Sequence, residues 1–543
     1  MNFRKHVLCP YGSSCGLPAA RSLLRRGSIP HTSEVAVSMR KHCSPHPTFA
    51  RPAVEELKRK SVRGGVVAIG AQGVKLVLQT GTVMLLARLL SPEDFGLAGM
   101  AGTLMGFLAL FKDAGLASAT IQSREVTHEQ LSTLFWINAA IGASLAALAI
   151  VLAPALAWFY RDPRISLVAA VFGSSFLFMG LMAQHGALIT REMRFLTQAK
   201  IDLTSLTISS ATGVVMALLG WRYWSFVGMG IANNIVSMIC LWLAVPWVPG
   251  APRRNSGVLP MLYFGGLSTL NSFFVYLAWN SDNILIGRYW GARALGVYGR
   301  AYQLATLPVE QWTGTLGGVA LSGLSAVQHD PERLSRSFLK AYSLLLSVTV
   351  PIAITCPLFA DEIILVLLGE KWMEVAPIFR LLAPTSLVFA LANPLSWLVM
   401  STGRVRRAVS MTAVMTPVVI IGILLGLPHG PLGVAVGYSA AMVLIIIPIA
   451  AWAKRGTGVT WSGLLAASKA PFLAGLLAGS VGLAAKMRFG GALAPIPMLA
   501  LGLALVLGVY ASALIAMGQK KLYADLLSEL FSRTRPPESG KQE

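Results

Sequence analysis

Four polar side chains interrupt the first long apolar run of the chain: Gln72, Lys75, Gln79 and Thr82. Spacings of three and four residues place them on one face of an α-helix. A charge at the centre of a bilayer costs about 2.5–3.5 kcal/mol on insertion scales, so such a stripe avoids lipid and faces a helix or a wet cavity. In a cavity, Lys75 is a cation for an anionic substrate; the plainer reading is a lysine satisfied by neighbouring carbonyl groups. Asp282, Arg300 and Glu310 are the matching ionisable groups of the second half. Asp282 and Arg300 are equidistant from Gly291, at the centre of an expected hairpin. Similar depth on adjacent antiparallel helices predicts an ion pair between them, serving either structural neutralisation or transport. Glu310, nearly three turns beyond Arg300, can titrate or pair. No P-loop, zinc spacing or nucleophile elbow accompanies these groups. No catalytic residue, metal or cofactor is therefore expected, and the energy source is an ion gradient, the membrane potential or the substrate gradient.

These groups need helices to hold them, and composition says in what solvent. The chain has 543 residues, 55% hydrophobic and 13% charged, with a mean hydropathy of +0.64. Soluble domains are about a quarter charged, and a bilayer asks for about 20 apolar residues per helix. Runs of that kind recur near 66–89, 95–112, 131–157, 165–189, 202–220, 223–248, 262–287, 296–325, 338–368, 376–402, 408–427, 430–453, 463–484 and 495–517. They lack the period-two alternation of a barrel strand. The expected fold is all-α and polytopic, with about fourteen transmembrane helices. The net charge of +22 would suggest nucleic acid in a soluble protein. Here Arg404, Arg406 and Arg407 share one loop while the turn 426–433 has no basic residue. That asymmetry places both termini in the cytoplasm and removes nucleic acid as a partner. Five cysteines are too scattered for a disulfide framework, with Cys240 and Cys356 read as core. His42, Cys43 and His46 lack zinc-site spacing.

The two halves resemble each other. At an offset of 200, Arg88, Gly96, Gly99 and Ala101 meet Arg288, Gly296, Gly299 and Ala301; at 203, Leu131, Ser132 and Phe135 meet Leu334, Ser335 and Phe338. Both matches fall around the first helix pair of each half, which predicts parallel repeats about the membrane normal. The expected organisation is a basic, disordered tail at 1–60 and a lobe of helices one to six at 61–249. A linker and second lobe of helices seven to twelve follow at 250–457, then an extra helix pair at 458–517 and a cytoplasmic tail at 518–543. Leu522, Leu526, Leu527, Leu530 and Phe531 suggest a short interfacial helix in that tail. Arg88 and Arg288 lie away from the polar faces, near the outer interface, and read as snorkelling or turn-capping groups. Lys112-Asp113 reads as a neutralised boundary pair.

Several stretches carry a family likeness. Ala87-Arg88-Leu89-Leu90-Ser91-Pro92-Glu93-Asp94-Phe95-Gly96 resembles the end of helix one in bacterial polysaccharide exporters of the Wzx type, as do Asp113-Ala114-Gly115-Leu116 and Gln130-Leu131-Ser132-Thr133-Leu134-Phe135-Trp136. Asp282-Asn283-Ile284-Leu285-Ile286-Gly287-Arg288, Leu295-Gly296-Val297-Tyr298 and Leu368-Gly369-Glu370-Lys371-Trp372 are similar to further elements of that family. It belongs to the multidrug/oligosaccharidyl-lipid/polysaccharide exporter superfamily, and the likeness spans about 61–520. It implies two six-helix lobes around a V-shaped cavity, alternating access, and an undecaprenyl-diphosphate-linked oligosaccharide as substrate. It further implies the bacterial inner membrane, surface polysaccharide synthesis, and polysaccharide polymerase and assembly proteins as partners. Substrate-binding candidates are Lys75, Gln72, Gln79, Arg300 and Gln303, with Asp282 and Glu310 in a coupling or structural ion pair. The long basic N-terminal tail departs from the family pattern. A drug/cation antiporter of the same fold would want an acid facing the first lobe's cavity, and helix one offers Lys75 instead. A membrane O-antigen ligase or polymerase would want a substantial external loop, which the spans do not leave.

Overall fold

The computed structural model describes residues 49–50, 54–112, 116–122, 125–252 and 259–519. Among them a helix stands at each position where the apolar runs predict one. α1 (Val54–Leu89) and α2 (Pro92–Ala109) meet at Ser91. The Asp94 N–H donates to the Ser91 hydroxyl, and the Ser91 N–H donates to the Asp94 carboxylate. With Pro92 at the first helical position, this capping box sets the start of α2. Thr127 and Gln130 repeat the device at the start of α3 (His128–Tyr160). α4 (Arg164–Arg191) divides at Ser174. α5 (Phe195–Leu218) and α6 (Trp224–Ala244) complete the first half.

The stretch Leu259–Ala326 is helical except at Gly291, whose φ of 82° and ψ of −176° separate α7 (259–290) from α8 (292–326). Only glycine takes that conformation readily. The Tyr298 hydroxyl donates to Asp282, sixteen residues back, a reach of about 24 Å along one straight helix, so the chain doubles over at Gly291. α9 (Pro331–Leu358) is capped by Asp330. α10 (Val375–Ser401), α11 (Val405–Gly426), α12 (Gly430–Ala453), α13 (Trp461–Phe489) and α14 (Pro495–Ala516) follow. Nine stretches of the described residues are long and apolar enough to cross a membrane, one of them, Arg406–Ala453, holding both α11 and α12. α1, α2, α7 and α8 are not among the nine; α1, α7 and α8 carry the polar candidates.

Three boundaries differ from expectation. α1 starts at Val54, so residues 54–60 are helical and do not belong to a tail. The ninth apolar run, 338–368, is two helices: α9 ends at Leu358 and a short helix, Ala360–Leu367, follows Phe359. Hydropathy stays high across that break, so the run conceals it. The fourth run hides the division at Ser174 for the same reason. The cluster His42–Cys43–His46, residue Asp113 and the tail residues 522–531 lie outside the described residues. Lys112 lines a cavity in the first half.

The turns that follow α1, α3, α5, α7, α9 and α11 share one end of the bundle. There Arg164 pairs with Glu93 at 2.7 Å, Arg293 with Glu374 at 2.7 Å, and Trp290 Nε1 donates to the Leu427 carbonyl. Beside the first of these pairs, the Arg164 guanidinium holds the Asp162 carboxyl below its ordinary range. Arg404 and Arg407 lie at the opposite, basic end, both donating to the Arg455 carbonyl.

The halves are joined where α2 packs on α7 and α8. A β-carbon at Gly96 would overlap the Ala292 carbonyl, and one at Gly296 would overlap the Pro92 carbonyl. The 200-residue offset carries Gly96 onto Gly296 and Pro92 onto Ala292. The two contacts are thus one contact and its pseudosymmetric mate.

Candidate functional site

Beneath this crossing a cavity of about 360 Å³ opens between α1 and the helices α8, α9 and α10. Gln79, Thr80, Arg300, Gln303 and Gln311 supply its polar lining. Three of the expected substrate-binding residues therefore come together from two halves of the chain. Gln72 joins them indirectly, its Nε2 donating to Gln311 Oε1 at 2.8 Å. That bond ties α1 to α8 across the mouth between the halves.

Lys75 turns elsewhere. Three residues carry the helix 300°, so it projects about 60° around α1 from Gln72. It faces α5 and meets the Asp202 carboxylate at 3.6 Å, which also accepts from Gln198 Nε2 at 2.7 Å. The polar stripe of α1 thus serves two neighbours. The first half does present an acid, on α5, and Lys75 opposes it. Asp202 sits at the first residue of the expected fifth run, where a charge reads as a boundary group; an ionisable residue about two turns inside α5 was the available signal. Thr82 donates back to the Leu78 carbonyl of its own helix.

The expected Asp282–Arg300 pair does not form. Asp282 is buried and accepts from the Tyr298 hydroxyl at 2.9 Å and the Asn283 N–H at 2.7 Å. Tyr298 stacks beside Tyr302, whose hydroxyl meets that of Tyr438 at 3.2 Å. Tyr298 and Arg300 are two residues apart, about 200° around α8. One face of that helix turns into the second half toward Asp282, and the other turns toward the first half. Equal depth brought the two charges level, but azimuth put them on opposite sides. Glu310 joins neither: it opens on a separate cavity with Trp279 and Trp397.

Arg300 lies 4.7 Å over the Phe95 ring, and its Nε has no hydrogen-bond partner. Phe95 also meets Phe226 and Trp372 edge-on, at 4.6 and 5.0 Å. Trp372 Nε1 donates to the Ala87 carbonyl, Lys371 Nζ to the Arg88 carbonyl, and Arg88 to the Val366 carbonyl. Burial pulls the Lys371 ammonium below its ordinary value, with Asp94 opposing the shift. The expectation of turn-capping at Arg88 is met in kind, with the cap supplied to the other half of the chain. Arg288 instead stacks over Phe159 and Tyr289. The segment 368–372, noticed in the sequence without a role, clamps the end of α1. The cavity is sealed at the hairpin end by this clamp, the Phe95 cluster and the glycine crossing. One guanidinium and three carboxamides can hold an anionic or hydroxyl-rich ligand there.

A polytopic helical bundle, closed at one end over a cavity that gathers polar side chains of both halves in a mainly apolar wall, has the construction of an alternating-access carrier. The family described as "polysaccharide biosynthesis protein" matches residues 85–377, and the chain belongs to that family, among the Wzx-type exporters of the superfamily the sequence resembles. It is similar to the lipopolysaccharide biosynthesis protein WzxC of Escherichia coli K12, at 24% identity over 398 residues, 72% of this chain and 80% of that one. It is similar also to the succinoglycan biosynthesis transport protein ExoT of Rhizobium meliloti, at 27% identity over 315 residues, 58% and 63% of the two chains. Among solved structures, the lipid II flippase MurJ in its inward closed conformation superposes with a TM-score of 0.69 at 15% identity, covering 84% of this chain and 100% of that one. An inward-facing multidrug resistance transporter of the MATE family gives 0.57 at 14% identity, covering 72% and 99%. Both likenesses concern the fold.

Proposed function

We propose that this protein flips an undecaprenyl-diphosphate-linked oligosaccharide from the cytoplasmic to the outer face of a bacterial inner membrane, by alternating access, for surface polysaccharide synthesis. The observation that carries the reading is the interlobe cavity with Gln79, Arg300, Gln303 and Gln311, sealed at the hairpin end. Sugars and diphosphates cannot enter hydrocarbon unaided, and the polar side chains gathered between the lobes stand in for water. The hairpin end is then the outer side, the basic end faces the cytoplasm with both termini, and the structure is the outward-closed state. An interior-negative potential favours exit of the anion by about 2.3 kcal/mol per charge per 100 mV. Relatives named for polysaccharide biosynthesis transport support a carrier over a ligase or polymerase. An antiporter for organic cations is disfavoured because Lys75 opposes Asp202, the acid it would use. A strain lacking the protein should accumulate undecaprenyl-diphosphate-linked glycan and lose surface polysaccharide, measured by mass spectrometry of the lipid fraction. An unchanged lipid-linked pool with normal export would defeat the proposal.

In this reading Lys75, which faces Asp202 and not the Arg300 cavity in the outward-closed state, exchanges that partner for the diphosphate in the other state. Its ion pair with Asp202 is half-exposed on both sides, and such pairs contribute about 0–1 kcal/mol to stability. Lys75→Ala should therefore insert at normal levels. Losing a charge-assisted contact to a diphosphate costs about 1.5–3 kcal/mol, or about 10–100-fold in affinity. Export should fall accordingly, while Lys75→Arg retains part of it. Normal export by Lys75→Ala at native expression would leave the lysine with a structural role only.

A further inference from the structure

The second half of the chain holds a cavity that the diphosphate site does not use. It has a volume of about 320 Å³ and opens between α7, α8 and α10, with Trp279, Glu310, Thr313, Phe389, Asn393 and Trp397 in its wall. Trp279 and Phe389 stack at 4.8 Å with an interplanar angle of 28°. Trp397 packs over Gly317, where a β-carbon would come within 3.0 Å of the indole Nε1, so the glycine lets the ring lie close on α8. Glu310 is exposed to the cavity, and among the described residues no lysine or arginine forms a salt bridge with it. A neighbouring cavity of about 270 Å³ shares Trp279, Phe389 and Asn393, so the same walls serve two adjoining spaces. Each falls at or near the lower bound of ligand pockets, about 300–1,000 Å³, and the pair lies within it.

Empty cavities in proteins are apolar. This one combines aromatic surfaces with a carboxylate, a carboxamide and a hydroxyl. Pyranose rings present both matching surfaces: an apolar face of C–H groups for an aromatic ring, and an equatorial rim of hydroxyls for acceptors and donors. We infer that this cavity is a sugar-binding subsite, in which Trp279 and Trp397 offer stacking surfaces to a pyranose of the lipid-linked glycan while Glu310 and Asn393 engage its hydroxyls. The inference rests on the proposed function and divides the substrate between two places. The diphosphate lies in the cavity of Arg300 and the sugar in the cavity of Trp397, both lined by α8. Gln311 faces the first and Glu310, the next residue back, faces the second. Glu310 is then a substrate contact, and the expectation that it titrates or pairs gives way to this role.

The test uses the full-length protein in nanodiscs and saturation-transfer difference NMR. The probes are methyl β-D-glucopyranoside, methyl β-D-galactopyranoside, methyl α-D-mannopyranoside and N-acetylglucosamine, with tetramethylammonium as the competing small cation. At least one pyranoside should give saturable transfer to its ring C–H protons. That transfer should drop by about tenfold, the factor carried by about 1.4 kcal/mol, in Trp397→Ala and in Asn393→Ala. Trp397→Phe should keep most of it, and using both positions guards against one variant that does not fold. In cells the two alanine variants should accumulate lipid-linked glycan at normal protein levels, with Trp397→Phe exporting. Transfer to no pyranoside, transfer unchanged by these variants, or tetramethylammonium displacing the sugar would each overturn the subsite. Such a result in a strain whose deletion accumulates lipid-linked glycan would leave the flippase standing. A deletion without accumulation would remove the flippase and leave the NMR to judge sugar binding alone.

Discussion

Gly296→Val is expected to abolish export while leaving the protein in the membrane. At this position the chain tolerates no β-carbon without moving the Pro92 carbonyl, and at Gly96 the same holds for the Ala292 carbonyl. The obstruction is backbone, not the end of a flexible side chain, so α2 and α8 must separate. Forcing extra atoms into a packed contact costs about 1–3 kcal/mol. The cost falls on the outward-closed state alone if the crossing opens in the other state. A bias of about 2 kcal/mol shifts a two-state equilibrium by about 30-fold. The variant should therefore rest open at the hairpin end, stalled before it can reload. A cysteine introduced at Gln79 should become reactive to a membrane-impermeant maleimide added from outside, several-fold more than in the parent. Gly96→Val should behave alike because the pseudosymmetry makes the two positions equivalent. Wild-type export and unchanged labelling in both variants would show that the crossing does not gate the cavity.

The second large effect concerns Asp282. Asp282→Ala removes the acceptor of the Tyr298 hydroxyl, and Tyr298 is fully buried. An orphaned buried donor costs about 1–3 kcal/mol, enough to reduce steady-state abundance several-fold. Asp282→Asn keeps an acceptor and should recover part of it. Arg300→Ala loses a cation–π contact with Phe95, about 0.5–2 kcal/mol, and orphans nothing. With no ion pair between them, the double variant should show the sum of the two losses, within about 0.5 kcal/mol. Rescue of Asp282→Ala by Arg300→Ala would restore the pair that the structure denies.

The frame was legible because its signals are local. The apolar run 430–453 coincides with α12, the pair Ser91-Pro92 announces a helix start, and Gly291 marks the reversal between α7 and α8. The recurrence of Gly96 as Gly296 named both partners of the crossing, although nothing in the sequence said they touch. The candidate site was legible in part. Gln79, Arg300 and Gln303 come to one cavity, since intramembrane polar groups have few other places to go. What failed was direction. Depth along a helix follows from counting residues to a turn, but azimuth depends on which neighbour packs against each face. That is why Arg300 was matched to Asp282 and why the partner of Lys75 on α5 went unseen. Trp279 and Trp397 gave no warning at all, because an aromatic residue in an apolar helix reads as core until a cavity appears beside it.

Movement of a lipid-linked glycan from one leaflet to the other is measured directly by its sidedness. Cells depleted of the protein would be converted to spheroplasts, and the lipid-linked glycan probed from outside with a membrane-impermeant oxidant of vicinal diols, then analysed by mass spectrometry. In spheroplasts containing the protein the glycan should be modified. In depleted spheroplasts it should be protected until the membrane is permeabilised. Equal modification of intact spheroplasts with and without the protein would place the glycan outside independently of this chain and contradict the account.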